Sequence, residues 1–276
     1  MKKICLAIAL TLAAPVELVS AQAQNAFQEG VKLHKAGKFK EAIAAYDRVL
    51  KAFPNSDEAY NNRGLAYFKL GQHERAIKDY DEALRLNPKL TDARFNRGNA
   101  LFQLRRYERA IGDYAEVLAH NPKSAQAYRQ RGLAHLNLNQ LDKALQDLSQ
   151  AQKLDPKDAE VYFGRGLVYR RLGKHDQAVQ EYSQALTRDP KNTEIYNNRA
   201  NAYSLLGKYD EALRDYDEAI KLDGKNARVY ANRGVIRARQ GKREEAYNDF
   251  RRAIELDAGL KDKLEPFMAE LKSAGR

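Results

Sequence analysis

The chain has 276 residues, carries 48 Lys and Arg against 37 Asp and Glu for a net charge of +11, and contains a single cysteine, Cys5. One cysteine excludes a disulfide framework, the length allows one or two domains, and the positive balance favours acidic partners or anionic surfaces.

Lys2 and Lys3 precede an apolar run from Ile4 to Val16, followed by Ala21-Gln22-Ala23. This pattern predicts a secretory signal peptide over residues 1–23, cleaved near Ala23. The run falls short of the roughly 20 residues a membrane span needs, and Cys5 lies too early in it to serve as a lipid-attachment site. The expected mature chain is therefore thiol-free, unanchored and periplasmic or secreted. Export argues against a nucleic-acid partner.

From residue 24 to 258 the chain repeats itself. Pro54, Pro88, Pro122, Pro156 and Pro190 are spaced by 34 residues, and Gly224 and Ala258 continue the step. Repeats start near 23, 57, 91, 125, 159, 193 and 227, and positions within each are numbered as places counted from its start. Place 8 holds Gly30, Gly64, Gly98, Gly132, Gly166, Ala200 and Gly234, while place 20 is alanine throughout, from Ala42 to Ala246. Places 4, 7, 8 and 11 share one helical face, as do 20, 24 and 27. Gly at place 15 in five of the seven copies marks a break between them. Each unit thus reads as two antiparallel helices, with the place-8 glycine expected to allow close approach to the place-20 alanine.

In its spacing and its small residues at places 8 and 20, this chain resembles the tetratricopeptide repeat family. It departs from the family pattern at place 7, where Arg stands for Leu, and at Arg105 and Asn139, which replace Gly at place 15. The resemblance implies an all-α fold, a right-handed superhelical solenoid of seven tetratricopeptide helix-turn-helix repeats whose first helices line a groove. It also implies protein partners bound as extended segments. The family's clamp for a C-terminal carboxylate, with Lys at places 5 and 2 and Arg at place 6, is not matched in any repeat.

Place 7 is Arg63, Arg97, Arg131, Arg165, Arg199 and Arg233, and place 23 of the same repeats is Asp79, Asp113, Asp147, Glu181, Asp215 and Asp249. Two antiparallel helices around a turn near place 15 bring places 7 and 23 level, which predicts a ladder of ion pairs within or between repeats. The matched acids leave little free charge for anionic ligands. Thirteen of the 16 tyrosines sit at the packing places 4, 11 and 24, and the five histidines form no metal-ligand cluster. A catalytic triad, a P-loop and a dinucleotide fingerprint are all missing. The expectation is a non-enzyme with no cofactor and no metal.

The remaining face of the first helix, places 2, 5, 6, 9, 12 and 13, is expected to face the groove. Place 6 carries Asn62, Asn96, Gln130, Asn198 and Asn232, with Gly164 a gap in the row. A side-chain amide offers both donor and acceptor, so such a row can pair with the backbone of an extended peptide whatever its sequence. Places 5, 9 and 12 add Phe68, Phe95, Phe102 and Phe163, with leucines between them, across repeats 2 to 5. Apolar area facing solvent on that scale marks an interaction surface. In repeat 6 this stripe turns polar at Asn197, Asn201 and Ser204.

Leu260, Leu264, Phe267, Met268 and Leu271 recur near helical spacing. They predict a capping helix over 259–276, covering the apolar face that a last repeat leaves open, with a restart at Pro266 because proline is tolerated only in a first turn. Two functions fit: a periplasmic scaffold or adaptor that binds extended peptide segments in the concave groove, or a structural or assembly subunit acting through its convex face or by self-association.

Overall fold

The computed structural model describes residues 16–273, and these fold into fifteen α-helices and one short 3-10 turn, with no strand among them. Most of the expected signal peptide, residues 1–15, lies outside the described residues. The first helix, α1, runs Val16–Lys35 and passes without a break through Ala21-Gln22-Ala23.

The described residues form two compact units, divided between His120 and Asn121. In the first, α1 pairs with α2 (Phe39–Ala52), α3 (Asp57–Lys69) with α4 (His73–Leu86), and α5 (Thr91–Gln103) with α6 (Tyr107–His120). In the second, the pairs are α7 (Ala125–Asn137) with α8 (Leu141–Leu154), α9 (Ala159–Arg171) with α10 (His175–Arg188), α11 (Thr193–Leu205) with α12 (Tyr209–Leu222), and α13 (Ala227–Arg239) with α14 (Arg243–Leu256). Helices two to fourteen occupy places 1–13 and 17–30 of the predicted repeats. Within each unit every second helix also packs on the first helix of the next repeat.

The punctuation follows local chemistry. Ser56, Ser124, Asp158 and Asn192 precede their first helices and accept a hydrogen bond from a first-turn N–H, satisfying a donor that the helix leaves open. At place 15 the backbone is left-handed in every repeat. Gly37, Gly71, Gly173, Gly207 and Gly241 take φ of 72–76° there. Arg105 and Asn139 adopt the same turn at 58° and 57° despite their side chains.

Packing corrects two expectations about the repeat interior. The deepest positions of the first helix are places 3 and 10, such as Ala59 with Ala66 and Val161 with Val168, all fully buried. Places 4, 7 and 11 are mostly half-buried, because the tyrosines and arginines there lie along the side of the helix. Nor is the alanine side chain at place 20 what excludes a side chain at place 8. A Cβ on Gly98 would lie 2.7 Å from Tyr114 Cε1, and one on Gly166 only 2.4 Å from Tyr182 Cε1. The side chain at place 24, a ring in most repeats and Leu148 beside Gly132, presses on the glycine, and place 20 contributes its carbonyl oxygen, 3.2 Å from the same point at Gly64 and Gly132.

At the C-terminus, a 3-10 turn (Ala258–Leu260) leads into α15 (Lys261–Ser273), which packs on α14. Leu264 is buried, and Leu260, Met268 and Leu271 pack against Phe250 and Ala253. The expected restart at Pro266 does not occur: Pro266 lies inside an unbroken helix. It is the sixth of thirteen residues, so its missing N–H leaves the carbonyl of Asp262, one turn earlier, without its helical donor.

Candidate functional site

The ion-pair ladder fixes the site's geometry. Each place-7 arginine reaches the acid sixteen residues on, in its own repeat, and all five aspartate rungs have the same two-bond form. Arg63 donates from Nε and Nη2 to Asp79 at 2.8 and 2.7 Å, and Arg199 to Asp215 at 2.8 Å for both bonds. The remaining nitrogen of several arginines reaches back to the preceding repeat, as in Arg63 Nη1 to Asp47 and Arg97 Nη1 to Asp81, at 2.6 and 2.7 Å. In the second unit Arg233 makes the same reach to Asp217 at 2.6 Å, and Arg199 to Ser183 Oγ at 3.0 Å. The ladder therefore runs both within and between repeats. Repeat 5 is its weak rung: Arg165 Nη2 meets Glu181 at 2.8 Å, while Arg165 Nε and Glu181 Oε2 are buried without partners. Burial pushes the Glu181 carboxyl up from its ordinary range, against the pull of Arg165 and Arg188.

With arginine committed to the second helices, places 5, 6 and 9 are left on the opposite side of the first helix. Asn96 Nδ2 donates to Asn61 Oδ1 at 3.2 Å, linking α5 to α3. In the second unit Asn232 Nδ2 donates to Asn197 Oδ1 at 3.1 Å, linking α13 to α11 through the same two places. Each pair spends one donor and one acceptor, leaving the second asparagine's carbonyl and the first one's amide nitrogen unused. The tyrosine hydroxyl at place 24 comes through to this side, where Tyr114 donates to Asn99 at 2.9 Å and Tyr216 to Asn201 at 2.6 Å. In repeats 2 and 5 place 9 is Leu65 or Leu167, and the hydroxyls of Tyr80 and Tyr182 have no partner. In the second unit the face opens into a cavity of about 730 Å³ between α11, α13 and α15.

Comparison with known proteins accords with this geometry. Residues 9–271 match the family model of the cilia and flagella-associated protein 70 C-terminal domain, a tetratricopeptide domain. The chain belongs to the tetratricopeptide repeat family. A tetratricopeptide repeat protein from Parabacteroides merdae superposes with a TM-score of 0.71 at 21% identity, over 91% of this chain and 99% of that one. PilF of Pseudomonas aeruginosa follows with 0.68 at 23% identity, over 78% and 97%. YrrB, described as a tetratricopeptide protein with an unusual peptide-binding site, gives 0.52 at 23%, over 65% and 93%. No curated protein matches the chain in sequence. The fold is that of protein–protein interaction scaffolds.

For this tetratricopeptide protein the expected site residues separate into distinct environments. Asn96 and Asn232 join the inter-helix amide pairs, while Asn62 and Gln130 are half-buried and make no hydrogen bond among the described residues. Asn198 lines the cavity between α11, α13 and α15 but is only 8% exposed, its Nδ2 folded back to the Glu194 carbonyl at 2.9 Å. Phe95 is half-buried against Tyr114, with ring centroids 5.8 Å apart. Phe68 and Phe102 sit at the turn end, tilted on His73 and set edge to face on Tyr107. Phe163 is core rather than surface, 8% exposed and packed on Tyr182. At the neighbouring Gly164 the site of a missing Cβ lies 3.1 Å from Leu133, so the backbone of α9 comes close to α7 there.

Asn61, Asn99, Asn197 and Asn201 complete the amide face and were legible only as breaks in an apolar stripe. The tyrosine pairing has a sequence signature, since Asn at place 9 coincides with Tyr at place 24 in repeats 3 and 6. Among the described residues no helix is long and apolar enough to cross a membrane, and no group of three or more His, Cys, Asp or Glu could hold a metal ion.

Proposed function

We propose that this protein is a non-catalytic scaffold that holds extended peptide segments of other proteins along the amide-bearing face of its first helices, acting in the bacterial periplasm. The carrying observation is the amide pair Asn96 with Asn61, repeated as Asn232 with Asn197 at the same places of another two repeats. A pair held in this way keeps one carbonyl and one amide nitrogen oriented and open at each step, which suits the alternating donors and acceptors of extended backbone. Phe95 and Phe102, both half-buried, add apolar contact for side chains in the first unit. YrrB supports the reading by analogy of fold. The periplasmic assignment rests on Lys2, Lys3, the apolar run and Ala21-Gln22-Ala23, and N-terminal sequencing of the exported protein should find a start close to residue 24.

The test is selection of unstructured peptides on the purified protein by display, followed by affinity measurement on Asn61→Ala/Asn96→Ala and on Phe95→Ala. Selected peptides should bind the amide double variant at least tenfold more weakly, with thermal stability nearly unchanged. Peptides that bind wild type and all variants equally would remove this face from consideration.

A further inference from the structure

The cavity at the end of the second unit has a composition unlike the rest of the amide face. Asn201 Oδ1 is taken by the Tyr216 hydroxyl and Asn197 Oδ1 by Asn232. That leaves the NH2 groups of Asn197 and Asn201 for other acceptors, so both line the cavity as amide donors beside the unused carbonyl of Asn232. Around them stand Arg170, Arg228 and Lys263, against one carboxylate, Glu194. Arg228 and Lys263 are exposed and form no ion pair among the described residues, where the Nε of Arg170 is also buried without a hydrogen-bond partner. Lys263 belongs to α15, and Leu260 and Leu264 beside it close that wall. The C-terminal helix is thus a wall of the site as well as the cover of α14.

Resting on the reading above, we infer that this cavity takes an acidic side chain, Asp or Glu within an extended partner segment, and that α15 supplies the lysine that selects it. Two fixed amide donors meet the carboxylate oxygens while Arg228 and Lys263 supply unpaired positive charge, so a carboxylate loses little by leaving water here. A neutral amide side chain of the same size could use the same hydrogen-bonding groups but carries no charge to answer Arg228 and Lys263.

The probe is an acetylated and amidated ten-residue peptide of glycine and serine with two central glutamates, compared with its glutamine counterpart by fluorescence anisotropy on the full chain. The glutamate peptide should bind at least tenfold more tightly, and Arg228→Gln/Lys263→Gln should abolish that difference. Arg251→Gln/Arg252→Gln, a pair on α14 beside Glu255, removes the same charge elsewhere and should leave the preference intact. Raising salt from about 50 to 300 mM should weaken the glutamate peptide far more than the glutamine one. Equal loss in both double variants would mean attraction to overall charge and would overturn the inference. Equal binding of the two peptides would overturn it while leaving the scaffold reading in place; failure of both to bind would sink both.

Discussion

The guanidinium of Arg131 donates two parallel hydrogen bonds to the carboxylate of Asp147, Nε to Oδ2 at 2.7 Å and Nη2 to Oδ1 at 2.8 Å, across the two helices of one repeat. Both groups are well shielded from water, with 23% and 7% of the side chains exposed. A fork-to-carboxylate bond in that setting fixes the angle between the helices as well as their distance. It explains why an arginine stands where the family places leucine. Replacing Arg131 or Asp147 alone by Ala should each destabilise by about 3 kcal/mol, because the partner is left buried and uncompensated. The double variant should cost less than the sum, with a coupling of about 1 to 3 kcal/mol in a urea double-mutant cycle. Simple additivity would show that the pair is not coupled.

Repeat 5 tests the same geometry from the other side. Its acid is Glu181, one methylene longer than the others, and the second bond of the fork is missing, leaving Arg165 Nε and Glu181 Oε2 without partners. Glu181→Asp should restore the two-bond form of the other rungs and raise stability by about 1 kcal/mol, the usual net worth of a recovered hydrogen bond. The urea midpoint should rise with an unchanged slope.

The turns offer a second stabilising change. Arg105 holds φ at 58° where five repeats use glycine, a conformation that costs a residue with a Cβ about 1 kcal/mol. Arg105→Gly should therefore stabilise by about 0.5 kcal/mol once the greater freedom of glycine in the unfolded chain is subtracted. Asn139→Gly should gain less, since asparagine enters this region more readily. Thermal midpoints of the two variants, measured side by side, decide the order.

Alkaline pH should act through the rings at place 24. Burial pushes the Tyr46 hydroxyl up to about 12, and raises those of Tyr80, Tyr114, Tyr182 and Tyr216 as well. In the unfolded chain they ionise near pH 10. Between the two values the unfolded state has lost protons that the folded state retains, so stability is full below about pH 10 and falls as pH rises beyond it, by up to about 1.4 kcal/mol per pH unit for each ring. Among the described residues the Tyr182 hydroxyl meets no partner in full hydrogen-bond geometry, with Arg170 beside it, so Tyr182→Phe should fold normally and lower the slope by one proton. An unchanged slope in urea titrations between pH 9 and 11.5 would show that this ring does not contribute.

The amide face divides what could be foreseen from what could not. The 34-residue step, the paired helices and the pairing of place 7 with place 23 were all legible, because seven copies of one unit supply their own alignment and each is a contact between neighbours in sequence. An antiparallel helix pair leaves few choices of register, so residues sixteen apart must meet. Place 8 shows the limit: its glycines were visible, but that the ring at place 24 presses on them rather than the alanine at place 20 depends on side-chain direction, which spacing does not specify. Phe163 shows the same limit, since its burial against Tyr182 is set by how the helices pack and not by its place in the repeat. The cavity that gathers Arg170, Arg228 and Lys263 had no signature at all, because these residues come from three different helices and share no place in the repeat. The repeat sequence by itself determined the helices and the rungs that tie them in pairs, since both are settled within one unit. Only the tertiary structure decided which amides stay open and where free charge collects, because burial is set by the stacking of one repeat on the next and by the helix that ends the stack.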